Sequence, residues 1–376
     1  MGDGQGRQRV GLGQESGRTA GPGERLIGGF FGRETPATGP LSGGGVLGFW
    51  AGTDRPLLLR DSAGAAFGAL ARALDPSRIW LPGWFCAPFA TGLPADRLRL
   101  YRVTPDLAPD TASLGDLSPG DLLLAVNHFG RAPGPAWAAF TAARADVVFV
   151  EDCAQALDPG TPPWGDWRLY SPRKLMGVPE GGLLVATSPR ARTAALPPPG
   201  LPADPARSAA RARPMALRRD HPADNALWHP LHQAAEAMGD NADRAMDAAA
   251  RDLLARIDPT PMIAARRANA ARLFHRLPDG RPEGLRPLID MADPSFAPFG
   301  LPVLVDPDRR DALLARLHAR GIFPAVHWRD ILSPPGWTED HARARAILTL
   351  PCDHRYGAAD MDRLAATLAA VLAGAA

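Results

Sequence analysis

Short runs of almost uninterrupted apolar residues mark the first half of the chain, and each ends in polar residues. DLLLAVNHFG (121–130) and DVVFVED (146–152) show this most clearly, and GGLLVATS (181–188) follows the same pattern. A strand covered by helices on both faces reads this way, because neither face alternates with solvent. PAWAAFTAARA (135–145) lies between the first two runs and reads as a helix, which gives one β-α-β unit. DSAGAAFGALARALDP (61–76) places apolar residues at helical spacing behind an Asp-Ser start and stops at a proline. RIWLPGWFCAPFA (78–90) is an apolar run, a Pro-Gly turn and a second apolar segment, and RLRLYRV (97–103) alternates as a strand does. Further on, 240–257 and 262–277 predict helices, 299–306 a strand, and 309–321 and 358–374 two more helices. The pattern predicts a large α/β domain over 46–257, with a mostly parallel central sheet flanked by helices, and a smaller α+β C-terminal domain over 258–376. Residues 1–45 contain 15 glycines and no periodicity. Glycine buries no side chain and loses the most backbone entropy on ordering, so this stretch is expected to be a disordered tail.

Composition narrows the classes. A chain of 376 residues with 45% hydrophobic and 22% charged residues supports a large buried core and two domains. The net charge of +2 argues against a dedicated nucleic-acid binder. Cys86, Cys153 and Cys352 are odd in number and far apart, which suits neither a disulfide framework nor a zinc site. With no signal-like segment and no run of eighteen apolar residues, the expectation is a soluble cytoplasmic protein that does not engage a membrane.

One residue type adds candidate chemistry. Lys174, in SPRKLMGVPEGG (171–182), is the only lysine; the other 41 of the 42 Lys and Arg residues are arginine. Arginine matches lysine at binding anions but cannot lose its proton, so it cannot serve as an amine nucleophile. A lone lysine is therefore either a deprotonatable amine with a task or a solvated residue. VVFVED (147–152) delivers Glu151 and Asp152 to the end of a predicted strand, where ligands collect in doubly wound folds.

VEDCAQAL (150–157) followed by GDWRLYSPRKLMGVPEGG (165–182) resembles the DegT/StrS-type (DegT/DnrJ/EryC/StrS) aminotransferases, which are fold-type-I pyridoxal-phosphate enzymes. In that family a strand ends in Glu-Asp-x-Ala-Gln, a serine precedes the Schiff-base lysine, and Gly-Glu-Gly-Gly or similar follows. SAGAAF (62–67), LPGWFCAPFA (81–90), VNHFGRAPG (126–134) and ILTLPCDHRYGAADMDRL (347–364) resemble further family segments in the same order. The resemblance covers roughly 46 to 372 and implies an aspartate-aminotransferase-like fold.

It also implies roles. Lys174 would form the Schiff base with pyridoxal 5'-phosphate and shuttle the proton. Asp152 would pair with the ring nitrogen, and Gln155 would lie against the ring or its hydroxyl. Ser171 would bind the phosphate with the backbone of Ala63 and Gly64, and Ser62 would replace a hydroxyl that these two residues lack. Cys86 stands where many members stack an aromatic ring, with Trp84 and Phe85 as alternatives. His327 and Trp328 would border the substrate. Asn241 and Arg244 match a region reaching across the interface of a homodimer. Ser171 lies three residues before the lysine instead of the common five, and Asn127 replaces a common histidine, with His128 beside it.

Simpler readings stand beside these. Asp152 suits a helix cap, Ser171 a turn, Cys153 a small buried hydrophobe, and His128, His327 and Trp328 packing. Glu180 and the two glycines after it suit a backbone turn. The expected activity is transfer of an amino group from an amino acid, glutamate or glutamine, to a keto-sugar nucleotide or related ketone. The alternatives are a lyase or dehydratase using the same cofactor, or a non-catalytic binding protein on the same fold.

Overall fold

The computed structural model describes residues 25–52, 54–277 and 285–374. A short first strand, β1 (Ile27–Gly28), is followed by a seven-stranded sheet. Its members are β2 (Leu57–Arg60), β3 (Ile79–Pro82), β4 (Leu98–Tyr101), β5 (Leu122–Val126), β6 (Val148–Asp152), β7 (Trp167–Tyr170) and β8 (Gly182–Ala186), in the order β2-β8-β7-β6-β5-β3-β4. From β4 to β7 all neighbours are parallel, and β8 and β2 join antiparallel at one edge.

The apolar runs are continuous because both faces are covered. Leu122, Leu124 and Val126 of β5 point to one side, where they meet Phe67 and Leu70 of α2 (Ala63–Leu74). Leu123 and Ala125 point to the other, against Trp137 of α3 (Pro135–Ala142). That period of two across a sheet buried on both sides is the pattern read from sequence. Helix α1 (Gly45–Ala51) precedes β2 and packs on the β8 edge of the same core.

Beyond β8 come α4 (Pro189–Arg192), α5 (Pro205–Asp220), α6 (Asn225–Glu236) and α7 (Ala248–Ala255), and then α8 (Pro259–Arg276). The remaining elements form a small antiparallel sheet of β9 (Arg286–Pro287), β10 (Leu301–Leu304) and β12 (Ile347–Leu350), in the order β12-β10-β9. They alternate with α9 (Arg310–His318), β11 (Ile322–Phe323), α10 (Thr338–Ala346) and α11 (Ala358–Leu372). Leu301, Val303, Leu348 and Leu364 share one apolar core with Leu123 and Trp80 of the large sheet.

Two expectations need correction. The predicted tail is ordered from residue 25 on. Leu26 and Ile27 are buried, and β1 pairs in parallel with β11 through Ile27–Ile322 and Gly28–Phe323. Two buried apolar residues and a borrowed strand edge are enough to order it, and glycine permits the close approach. Residues 1–24 lie outside the described residues. The helix expected over 240–257 forms only from Ala248, because Asn241 sits at φ 52 and Asp247 caps the later start by accepting from the Ala249 N–H. Among the described residues the three cysteines are free, no cluster of metal-ligating side chains occurs, and no helix is long and apolar enough to cross a membrane.

Candidate active site

Strands β3, β5, β6 and β7 run parallel, so their carboxyl ends open on one side of the sheet. That topology brings together the segments that follow them: Gly83–Cys86, Asn127–Gly130, Asp152–Gln155 and Ser171–Lys174. Lys174 closes a short 3-10 turn, its N–H donating to the Ser171 carbonyl at 3.1 Å, and it is exposed.

Asp152 ends β6 with 2% of its surface exposed. Burial raises its pKa to about 6 against the opposing pull of Lys174 and the Ala154 N–H. That N–H binds Oδ1 at 2.7 Å, and among the described residues Oδ2 has no hydrogen-bond partner. Cys86 feels both charges: burial raises its thiol, Lys174 lowers it and Asp152 raises it. The lysine and the carboxylate thus both bear on the charge of Cys86.

Gln155 is buried, and its Oε1 accepts the Phe129 N–H at 2.9 Å. This bond fixes Phe129 at φ 56, in a turn that seats His128 against Trp84 with ring centroids 5.1 Å apart. Trp84 and Phe85 have 0% and 2% exposure, so both rings are closed off. Of the three candidates for stacking, only Cys86 is not fully buried.

Burial, with Lys174 second, lowers the His327 pKa to about 3, and Nδ1 of its ring lies 2.9 Å from Thr349 Oγ1. His128 is lowered to about 3 by burial, then by Arg343 and Arg131. Both rings are neutral near pH 7. Trp328 packs edge-on against Trp84 at 5.3 Å, so it holds the wall formed by that tryptophan. A cavity of about 80 Å³ opens beside Lys174, lined by Gly28, Gly29, Phe299, Ala325, Thr349 and Arg355 among others.

The second half of the site is the start of α2. The Ser62 hydroxyl caps it by accepting the Ala65 N–H at 3.2 Å; Ser62 bridges in parallel to Gly181, and Gly64 follows in the first turn, where no earlier turn of the helix takes up its N–H. The first turn at the positive end of a helix is a natural anion site. The glycine pair after Glu180 joins this helix to the lysine segment. Gly181 (φ 140) donates to the Asp61 carbonyl, and a Cβ on Gly182 would lie 1.9 Å from the Ser62 carbonyl oxygen. Glu180 Oε1 accepts the Asp247 N–H at 2.6 Å, which anchors the turn. The buried Ser171 hydroxyl makes no hydrogen bond that caps the turn. Asn241 touches Gly64 from within the same chain, its Oδ1 lying 2.3 Å from where a Cβ would stand.

Sequence reasoning missed the ring of charge around Asp61. Its carboxylate is 1% exposed, with Arg207 Nε and Arg244 Nε each at 3.6 Å and Arg211 Nη1 at 4.0 Å. Arg244, expected at a subunit interface, belongs to this ring. Among 41 arginines no spacing signal distinguished these three.

No protein-family model and no curated protein matches this chain. Solved structures do. DesV of S. venezuelae aligns with a TM-score of 0.61 over 93% of this chain and 91% of its own, at 18% identity. The putative sugar aminotransferase Spr1654 of Streptococcus pneumoniae gives 0.62 over 93% of each chain at 15% identity. The aminotransferase TlmJ of Streptoalloteichus hindustanus gives 0.58 over 85% and 86% at 20% identity.

The fold is that of the sugar aminotransferases. The aminotransferase fold accounts for the mostly parallel sheet, the small C-terminal sheet and the opening at the strand ends where Lys174 and Asp152 lie.

Proposed function

We propose that this chain is a pyridoxal-phosphate-dependent aminotransferase that moves an amino group from an amino acid, glutamate or glutamine, to a keto-sugar nucleotide or related ketone, working in the cytoplasm as a homodimer. The observation that carries this reading is that the only lysine of the chain and a buried carboxylate follow the carboxyl ends of the neighbouring parallel strands β7 and β6, near enough for Lys174 to bear on the charge of Asp152. The structural neighbours add support, since one is DesI with its TDP-sugar product and another is PseC, of pseudoaminic acid biosynthesis.

The residues present fit the cofactor. Asp152 offers an unpartnered oxygen, held in a buried position where a protonated ring nitrogen would be its natural counter-ion. The first turn of α2 from Ala63 and Gly64, at the positive end of the helix, with the Ser62 and Ser171 hydroxyls nearby in the fold, suits a phosphate. When bound, pyridoxal phosphate supplies an electron sink for the bonds at the amine-bearing carbon.

The chain's own residues do the rest. Asp152 keeps a proton on the ring nitrogen, and its raised pKa shows how poorly it tolerates ionising alone. Lys174 Nζ takes a proton from one carbon and returns it to another, a task arginine cannot perform. His327 stays neutral, so its ring offers hydrogen bonds to substrate without adding charge. Gln155, with its oxygen committed to Phe129, has its amide available as a donor.

The test uses the lone lysine. Wild-type protein given pyridoxal phosphate should gain a visible absorption band and, after borohydride, a mass tag on Lys174. Lys174→Ala should show neither. A band that persists in the variant would overturn the assignment, and adding amino donors then separates a transaminase from a lyase by whether another product is released.

A further inference from the structure

The strap that enters as Leu26–Glu34 crosses directly over the loop that follows Lys174. The backbone of Glu34 donates to the Gly177 carbonyl at 2.9 Å, while its carboxylate Oε1 accepts the Gly177 N–H at 3.0 Å. Contact is so close that a Cβ on Gly177 would lie 1.8 Å from the Gly32 carbonyl oxygen. On the opposite flank Arg266 of α8, which is 0% exposed, donates Nη2 to the Leu175 carbonyl at 2.6 Å and Nη1 to the Pro298 carbonyl at 3.0 Å.

His354 joins the two flanks. Its Nε2 lies 3.0 Å from Glu34 Oε1 and its Nδ1 lies 3.4 Å from Arg266 Nη2. The arginine can only donate and the carboxylate can only accept, so the neutral ring with its proton on Nε2 satisfies both. An anion and a cation, linked by one imidazole, thus hold the N–H of Gly177 and the carbonyl of Leu175.

We propose that Glu34 and Arg266, coupled through His354, are positioning residues for Lys174: they fix the backbone of Leu175–Gly177 and so aim the reactive amine. The need is physical. A lysine side chain has four rotatable bonds, and Lys174 is exposed, so its backbone anchor is what limits where Nζ can go. A burial of charge as complete as that of Arg266 is costly, and it is offset here by carbonyls of the segments that border the lysine. The inference rests on Lys174 being the reactive amine.

Because there is one lysine, reductive methylation of the cofactor-free full-length chain with ¹³C-formaldehyde gives a single dimethyl-lysine NMR signal. Its shift and titration read the surroundings of Lys174 without any cofactor. In a parallel sample, the rate at which added pyridoxal phosphate becomes borohydride-fixed to Lys174 is followed by mass. Glu34→Ala should move and broaden the NMR signal and slow fixation by about tenfold or more, the order expected when a reacting group is displaced by a fraction of an ångström to an ångström. Glu34→Gln keeps an acceptor for the Gly177 N–H and should restore fixation to within about threefold of wild type.

A Glu34→Ala signal and rate equal to wild type overturn the proposal, as does loss of rate with no rescue by glutamine. If Glu34→Ala does not fold, His354→Gln breaks the link between the flanks and serves in its place. An unchanged lysine signal there also overturns it. Failure of the cofactor reading would show as no fixation in wild type, and the NMR signal would still judge the positioning.

Discussion

Asp152→Asn in the cofactor-free chain should become more stable than wild type as pH rises. The folded carboxyl has its pKa raised from 3.8 to about 6, chiefly by burial, with Lys174 pulling the other way. A group whose folded pKa lies above its unfolded value binds its proton more tightly when folded. Its contribution is therefore fully present below pH 4 and is lost as pH rises through about 6. The size of the shift corresponds to about 3 kcal/mol, spread over that window. Asparagine has the shape of the protonated acid and does not ionise, so it escapes the loss. Urea unfolding of both proteins at pH 4 and pH 7.5 should show the difference in unfolding free energy moving by about 3 kcal/mol in favour of the variant. His128 and His327, lowered to about 3 by burial, titrate in the opposite sense, but they are present in both proteins and cancel. A difference that stays within about 0.5 kcal/mol across this range would refute the idea that Asp152 is a buried charge awaiting a counter-ion.

Two further substitutions probe the framework. Asp61→Ala removes the buried carboxylate among Arg207, Arg211 and Arg244, leaving Asp240 and Glu180 as their remaining counter-charges, and should cost about 2 to 3 kcal/mol in urea unfolding. A loss under about 1 kcal/mol would mean that the three cations do not depend on this carboxylate. Gly182→Ala forces a Cβ to within 1.9 Å of the Ser62 carbonyl oxygen, so β8 and the start of α2 must part. It should cost about 3 kcal/mol or more and weaken phosphate retention, whereas a wild-type melt would show that the junction has slack.

The elements that could be read from sequence are those whose pattern has a single cause. The strand runs of β5, β6 and β8 are apolar throughout because helices cover both faces, and a parallel sheet collects its ligands at the carboxyl ends. Asp152 and Lys174 could be found for that reason together with the motif around them. The Leu26–Glu34 strap could not. Its order depends on two apolar residues, a strand edge supplied by β11, and side chains such as Arg218 and Arg355 that donate to the Gly28, Gly29 and Phe30 carbonyls. Those partners lie about 190 to 330 positions away, beyond any local periodicity. The stacking position was ambiguous for a related reason: Trp84, Phe85 and Cys86 are consecutive, and only burial separates the two closed rings from the partly exposed thiol.

The skew toward arginine has a consequence at the site itself. At Arg266 the guanidinium is fully buried, and although burial lowers its pKa, arginine begins so high that it stays charged and keeps its fork of donors. A lysine there would shed its proton and lose most of its grip on the Leu175 and Pro298 carbonyls. On the proposed function the requirement at position 174 is reversed, since the amine would have to give up and regain a proton while exposed to its substrate. On that reading a permanent cation holds the backbone beside the one amine able to lose a proton, and exchanging the two residue types should disable both positions.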